Sequence, residues 1–313
     1  MLCCLLVPVC FAHFHPDQLS NTDNNSICGF VAATNISDIY SQWSCDVTGS
    51  AISDPCQWEG ITCTSLNEIS SISLQPNGAS SLTGTLSPIL GEIVTLVDIR
   101  IDQSRIFSSL PSSWGSLTSL TSLSLSDSSL SGSLPSSWSS LASLQFLSLF
   151  SNFLSGSLPS SWGSLTSLTS LSVRVNSLSG PLPSSWGSLT RLTYLHLYAN
   201  SLSGSLPSSL GSLVSLDSLN LYANSLTGSL PSSWGSLVSL NSLDLNYNTL
   251  SGPLPSSWSS LTSLNVLSLP LRKLPDWTST FLLGHPHTTN LSRTQFQCPY
   301  WIYAFLLGLS ASS

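Results

Sequence analysis

From Leu110 to Leu269 the only Asp, Glu, Lys, Arg or His residues are Asp127, Arg174, Arg191, His196, Asp217 and Asp244. Catalysis needs such groups to converge with shifted pKa values. Asp217 and Asp244 instead fall in different repeats and different columns, away from any activated nucleophile. Serine is abundant, but no register brings Ser, His and Asp together as a nucleophile, base and orienting acid. His285-Pro286-His287 is a potential pair of metal ligands. No Cys or carboxylate set surrounds it, so a loop is the better reading. We therefore expect no enzyme, no metal site and no cofactor. The net charge of -7 also argues against a nucleic-acid partner, which needs clustered Lys and Arg; only Arg272 and Lys273 stand side by side.

The cysteines carry the remaining covalent chemistry. Leu2 to Phe11 is a short apolar run, and Cys10-Phe11-Ala12 places small residues three and one before a cut. We expect residues 1–12 to be a secretory signal, with a buried N-terminal segment as the alternative. Its removal takes away Cys3, Cys4 and Cys10. Cys28, Cys45, Cys56 and Cys63 then precede the repeats, and Cys298 is left over. An oxidising compartment makes two disulfides the expectation, paired Cys28–Cys45 and Cys56–Cys63, although four cysteines allow three connectivities. Zinc competes poorly, because the spacing lacks paired C-x2-4-C knuckles. Sequons at Asn24, Asn35 and Asn290 are candidate glycosylation sites on a secretory route.

What must position any site is a repeat. Leu-Pro-Ser-Ser begins at Leu110, Leu134, Leu158, Leu182, Leu206, Leu230 and Leu254, always at the same step, with a diverged copy one step earlier at Leu86. Within Leu192-Thr193-Tyr194-Leu195-His196-Leu197 the leucines alternate, so they point inward from a short strand while Tyr194 and His196 point outward. Asn152, Asn176, Asn200, Asn224 and Asn248 form a column whose amides can bond the backbone of adjacent coils. Gly132, Gly156, Gly180, Gly204, Gly228 and Gly252 mark a turn that a side chain would obstruct. The Leu-Pro that follows bends the chain toward the outer side of each coil. Trp114, Trp138, Trp162, Trp186, Trp234 and Trp258 share one place with Leu210. An apolar residue standing in for Trp favours buried packing over sugar stacking. The expected fold is an α/β solenoid, a curved right-handed superhelix. A concave parallel sheet lines one side, and irregular or 3-10 segments the convex side.

The unit L-x-x-L-x-x-L-x-L-x-x-N-x-L-[ST]-G-x-L-P-x-x-W-G-x-L resembles the 24-residue extracellular class of leucine-rich repeats. Asp54-Pro55-Cys56-Gln57-Trp58-Glu59-Gly60-Ile61-Thr62-Cys63 looks like the N-terminal cap of plant receptor-like members. The Leu-Pro-x-x-Trp variant in near-identical Ser-rich copies is similar to kinetoplastid leucine-rich-repeat surface antigens. The resemblance covers about Trp43 to Leu269. It implies a secreted or cell-surface protein engaged in adhesion or contact, membrane-bound only through a lipid anchor. The tail departs from that pattern: it has no Thr- or Pro-rich stalk, and Tyr300 to Leu309 is too short to span a bilayer. We accordingly divide the chain into the signal, a disulfide-bearing cap over 13–65, repeats over 66–271 and a C-terminal cap or tail over 272–313.

Near-identical repeats make the departures informative. The outward strand positions align in three columns. One holds Phe146 and Tyr194 among serines, the next holds His196, Asn220 and Asp244, and the third runs Ser126, Phe150, Arg174, Tyr198, Tyr222, Asn246. This places Phe146, Phe150, Arg174, Tyr194, His196, Tyr198 and Tyr222 on one expected face, with Phe153 and Tyr247 adjacent to it. Exposed aromatics around an Arg suit a protein or glycan ligand. The competing reading is a ladder that stiffens the sheet. A second functional class, a structural or ice-binding solenoid, follows from the dense Ser and Thr array.

Overall fold

The computed structural model describes residues 21–46, 48–74 and 82–270. The expected signal over 1–12, Asn290, Cys298, the His285/His287 pair and the tail over 272–313 lie outside the described residues.

Each repeat forms one coil, and the coils stack in register. A ten-stranded sheet runs along one side of the stack. Its first strand, Ile61–Cys63, pairs antiparallel with Ile69–Leu74, and every later pair is parallel. The repeat strands are three residues long, as in Ser122–Ser124, Phe146–Ser148, Ser170–Ser172 and Tyr194–His196. Partners lie one repeat apart: Phe146 pairs with Ser170, and Ser170 with Tyr194. Parallel strands need a crossover, and the rest of each coil supplies it.

The crossover carries a five-residue 3-10 turn in every coil, for example Ser160–Ser164 and Ser184–Ser188, each entered through a proline. Proline suits that place because it presets φ and lacks a donor that would be unpaired there. The α/β leucine-rich-repeat solenoid is thus the observed fold.

Inside the coils, Leu189, Leu192, Leu195, Leu197 and Leu202 are fully buried, as are their equivalents in neighbouring coils. One coil cannot enclose these side chains, so stacking does it, at about 1.5–3 kcal/mol per fully buried leucine. The tryptophans are interior. Trp114, Trp138, Trp162 and Trp186 stack nearly parallel with centroids 6.2–6.5 Å apart. Leu210 interrupts the ladder, and Trp234 and Trp258 resume it. Each indole N–H donates to a backbone carbonyl of the preceding coil, as from Trp162 to Pro135 at 3.0 Å. A buried Trp thus satisfies its one donor while tying two coils.

The asparagines do the same for the backbone. Asn176 donates from Nδ2 to the carbonyls of Leu149, Val173 and Arg174, and its Oδ1 accepts from the Leu154 N–H at 2.9 Å. The glycine column has φ near +78°, the left-handed region that favours Gly.

The coils also form a second parallel sheet, which no alternation of side chains signals. Six strands, including Phe153–Ser157, Ser177–Gly180 and Ser201–Ser205, pair along a flank of the stack. The expected bend toward the outer side is therefore preceded by a strand. Serine and glycine have low β-propensity, so the residue types give no warning of it.

At the N-terminal end, helix Asn21–Ala33 packs against the 3-10 turn Pro88–Glu92. Disulfides join Cys28 to Cys45 and Cys56 to Cys63. Trp43 and Trp58 are buried against each other with centroids 5.1 Å apart, and Phe30 lies 6.2 Å from Trp43. Of the sequon residues, Asn24 is inside the helix with its Oδ1 buried and Ser26 fully buried. A glycan at Asn24 would have to displace that packing. Asn35 uses its Oδ1 to accept from the Thr83 N–H at 2.7 Å.

Candidate functional site

Three successive coils bring most of the singled-out side chains together on the long sheet. Because strand partners lie one full repeat apart, Phe146, Ser170 and Tyr194 sit side by side, as do Ser148, Ser172 and His196. The third row, Phe150, Arg174 and Tyr198, lies just past the strand ends, where the backbone ladder continues: Ser151 donates to Arg174 O at 3.0 Å, and Val175 to Tyr198 O at 2.9 Å. The strands are therefore shorter than the alternation of leucines suggests, yet the columns persist. A square results with an aromatic ring at each corner: Phe146, Phe150, Tyr194 and Tyr198. Serines 170 and 172 form its centre line, and Arg174 fills one side.

Arg174 is held by both of its neighbours. Its guanidinium carbon lies 3.9 Å from the Phe150 ring centroid and 5.3 Å from that of Tyr198. Nη1 also donates to the Tyr198 hydroxyl. A cation over two aromatic faces is attracted by their quadrupoles, by about 0.5–1 kcal/mol each when exposed. The Arg is therefore pre-organised before any ligand arrives.

On the opposite side of the square, Phe146 is 38% exposed and Tyr194 46% exposed. His196 meets the Tyr194 ring edge-on at 6.3 Å, and its Nε2 lies 3.1 Å from Ser218 Oγ. Burial pushes the His196 pKa down, and the nearby Arg174 charge pushes it further the same way. Both effects favour the neutral imidazole. Ser172 Oγ is buried at the centre of the square without a hydrogen-bond partner.

Tyr222 stands apart from this square. It packs edge-on against Tyr247, with centroids 5.1 Å apart. Phe153, expected beside the patch, lies in the second sheet and outside it. Farther along the column of His196, Asp244 accepts from the Asn246 N–H at 3.0 Å. Burial raises its pKa, against that hydrogen bond.

The second sheet presents different chemistry. Its outward residues are almost all Ser or Thr, including Ser131, Ser155, Ser179, Ser203 and Thr227. Among the described residues, none of these five hydroxyls makes a hydrogen bond to the protein. Thr249 is bound to Leu226 O. Serines of the 3-10 turns behave otherwise: Ser137, Ser161, Ser185 and Ser209 each donate to a carbonyl of the preceding coil at 2.6–3.0 Å. The sequence does not separate these two populations, because both are runs of serine in every repeat.

Residues 119–141, 143–165, 167–189, 191–213, 215–237 and 239–261 each match the Leucine Rich Repeat family. No curated protein matches the chain. Among solved structures it is similar to the Arabidopsis receptor kinase HAESA in complex with the peptide hormone IDA and the co-receptor SERK1. That similarity has 32% identity and a TM-score of 0.69, over 80% of this chain and 41% of that one. PEPR1-AtPEP1 is similar at 29% identity and a TM-score of 0.68, over 80% and 42%. A plant ice-binding protein is similar at 25% identity and a TM-score of 0.62, over 81% and 87%. The chain thus spans about two fifths of the receptor chains and most of the ice-binding one. It is a tandem leucine-rich-repeat solenoid, similar in structure to plant receptor-like leucine-rich-repeat ectodomains.

Proposed function

We propose that the chain is a secreted or cell-surface recognition protein that binds a protein or glycan ligand on the long sheet around Arg174. One observation carries this reading: four aromatic corners, two of them exposed, frame a pre-organised guanidinium and a serine centre line on the long sheet. A stiffening ladder would need the rings to contact one another. Instead Phe146 and Tyr194 are separated by the small Ser170. Two disulfides suit an oxidising compartment, and a similar receptor structure is a complex with a peptide hormone. The Leu-Pro-Ser-Ser-Trp units carry the likeness to kinetoplastid surface antigens, which points to adhesion as the setting. On this reading the protein performs no catalysis. The test is a combined protein and glycan array probed with purified chain, wild type beside Tyr198→Ala. Weaker binding with an unchanged unfolding curve is the expected result. Undiminished binding by Tyr198→Ala would reject the surface.

A second reading has its own support. The unbonded hydroxyls of the second sheet form a regular array on a rigid frame, and a similar solved structure is a plant ice-binding protein. Ice binding would then belong to that flank. Freezing hysteresis of wild type beside Ser179→Lys separates the two: a hysteresis lost in this variant assigns the flank, and no hysteresis removes the reading.

A further inference from the structure

Resting on the long-sheet reading above, we infer that the side of the square bounded by Phe146 and Tyr194 seats one neutral pyranose ring of a glycan, stacked between the two rings above Ser170.

The internal precedent is Arg174. Strands two apart in a sheet are separated by roughly 10 Å. On the third row that gap, between Phe150 and Tyr198, is filled by one planar group, the guanidinium, with ring centroids 3.9 and 5.3 Å away. The first row repeats the arrangement with the same strands: Phe146 on one side, Tyr194 on the other, and a residue of the middle strand between them. Here that residue is Ser170, whose side chain is too short to fill the gap. Phe146 and Tyr194 consequently remain exposed. The seat is open where its twin is occupied.

The lining selects the guest. A second cation would fit the ring faces, but the stretch from Gln145 to Tyr198 contains no Asp or Glu. The acids Asp98, Asp102 and Asp244 of the long sheet belong to coils outside the square, and Asp127 and Asp217 border it only from the two flanking coils, while Arg174 inside it adds repulsion. A purely apolar ring would leave hydroxyls dry. Ser170 Oγ has no partner among the described residues, and Ser172 Oγ is buried without one. Leaving a buried hydroxyl unpaired is destabilising. A pyranose meets both demands. Its C–H faces stack on aromatic rings, and its edge hydroxyls bond to Ser170.

The repeat itself supplies conservative variants, because other coils carry serine where Phe146 and Tyr194 stand: Ser122, Ser218 and Ser242. The probes are cellohexaose, chitohexaose, mannohexaose and maltohexaose, titrated calorimetrically into the full chain, beside a random peptide array. We expect saturable binding of at least one oligosaccharide. Phe146→Ser and Tyr194→Ser should each weaken it tenfold or more, and Ser170→Tyr should abolish it by filling the seat. Ser242→Tyr, in the same column but outside the square, should leave it unchanged. Absence of oligosaccharide binding at millimolar concentration, or binding indifferent to Ser170→Tyr, overturns the seat. If peptides alone bind, and Tyr198→Ala weakens them, the seat falls while long-sheet recognition stands. If neither probe class responds to any of these variants, both fall.

Discussion

The two parallel sheets are made by the same coils, yet they differ in what they show to solvent. On the long sheet, strand partners are repeat equivalents, so each repeat position makes a straight column and a single exchange, such as Ser to Tyr194, has defined neighbours. On the second sheet the pairing falls two positions short of a full repeat: Ser131 pairs with Phe153, Ser155 with Ser177, and Ser179 with Ser201. Repeat-equivalent positions are displaced along the sheet at every strand, and every outward neighbour is again a Ser or Thr, apart from Phe153. Variation has therefore collected on the face where register keeps it together. Uniformity has persisted on the face where register shears it. The lesson is that a binding surface in a solenoid depends on pairing register as much as on composition.

The largest effect should come from what both sheets share. Trp162→Ala removes an interior ring, its two stacking partners and one inter-coil hydrogen bond. We expect a loss of about 3–5 kcal/mol, measured by denaturant unfolding, with both sheets affected. A stability loss confined to one face would break the idea of a common core. Asn176→Ala comes next. It strips a bridge that runs from the end of the long sheet to the start of the second and leaves the Leu154 N–H unpaired. The expected loss is about 1–3 kcal/mol.

On the second sheet, Gly180 sits at φ +78°. Gly180→Ala should cost about 1–2 kcal/mol, while binding on the long sheet is unchanged. Val175 is the converse case, a β-branched residue held at φ +55° immediately after Arg174. Val175→Gly should stabilise the chain, by up to about 1 kcal/mol once the added chain entropy of Gly is set against the relieved strain. A destabilised Val175→Gly would show that the strain is compensated elsewhere.

The pH dependence sharpens the contrast further, since the groups with shifted pKa in the repeats face the long sheet. The His196 pKa is lowered by burial and by Arg174. Its stabilising contribution is thus complete above the ordinary His value of about 6.5 and is lost as pH falls through the lower folded value. Asp244 is raised by burial, so its contribution is present below the ordinary carboxylate value and is lost as pH rises through the folded value. His196→Gln should flatten the unfolding profile as pH falls below about 6.5, while the opposite slope of Asp244, which begins at the ordinary carboxylate value, is kept. An unchanged profile would show that His196 is not the group that titrates. The smallest effects separate the two serine populations. Ser185→Ala should cost about 0.5–1.5 kcal/mol, because Ser185 Oγ bonds Ser160 O. Ser179→Ala should stay within about 0.5 kcal/mol, as expected for an exposed side chain without a partner.

Much of this molecule was legible in the sequence because a strict leucine period leaves few ways to bury its leucines. The inward leucines, the interior tryptophans, the bridging asparagines and the outward aromatics follow from alternation and recurrence alone. Those signals come from side chains whose chemistry differs from their neighbours. The second sheet was not legible. Ser-Leu-Ser-Gly-Ser has no strand propensity of its own, and it becomes a strand only because stacked coils bring its backbone groups within bonding distance. For the same reason the sequence could not say which serines are spent on inter-coil bonds and which are free. Nor could it say that Arg174 would fill one side of a four-ring square while Ser170 left the other open. Composition and period determined the coil. Register between coils, which depends on how whole turns settle against each other, decided what the coil presents to a ligand.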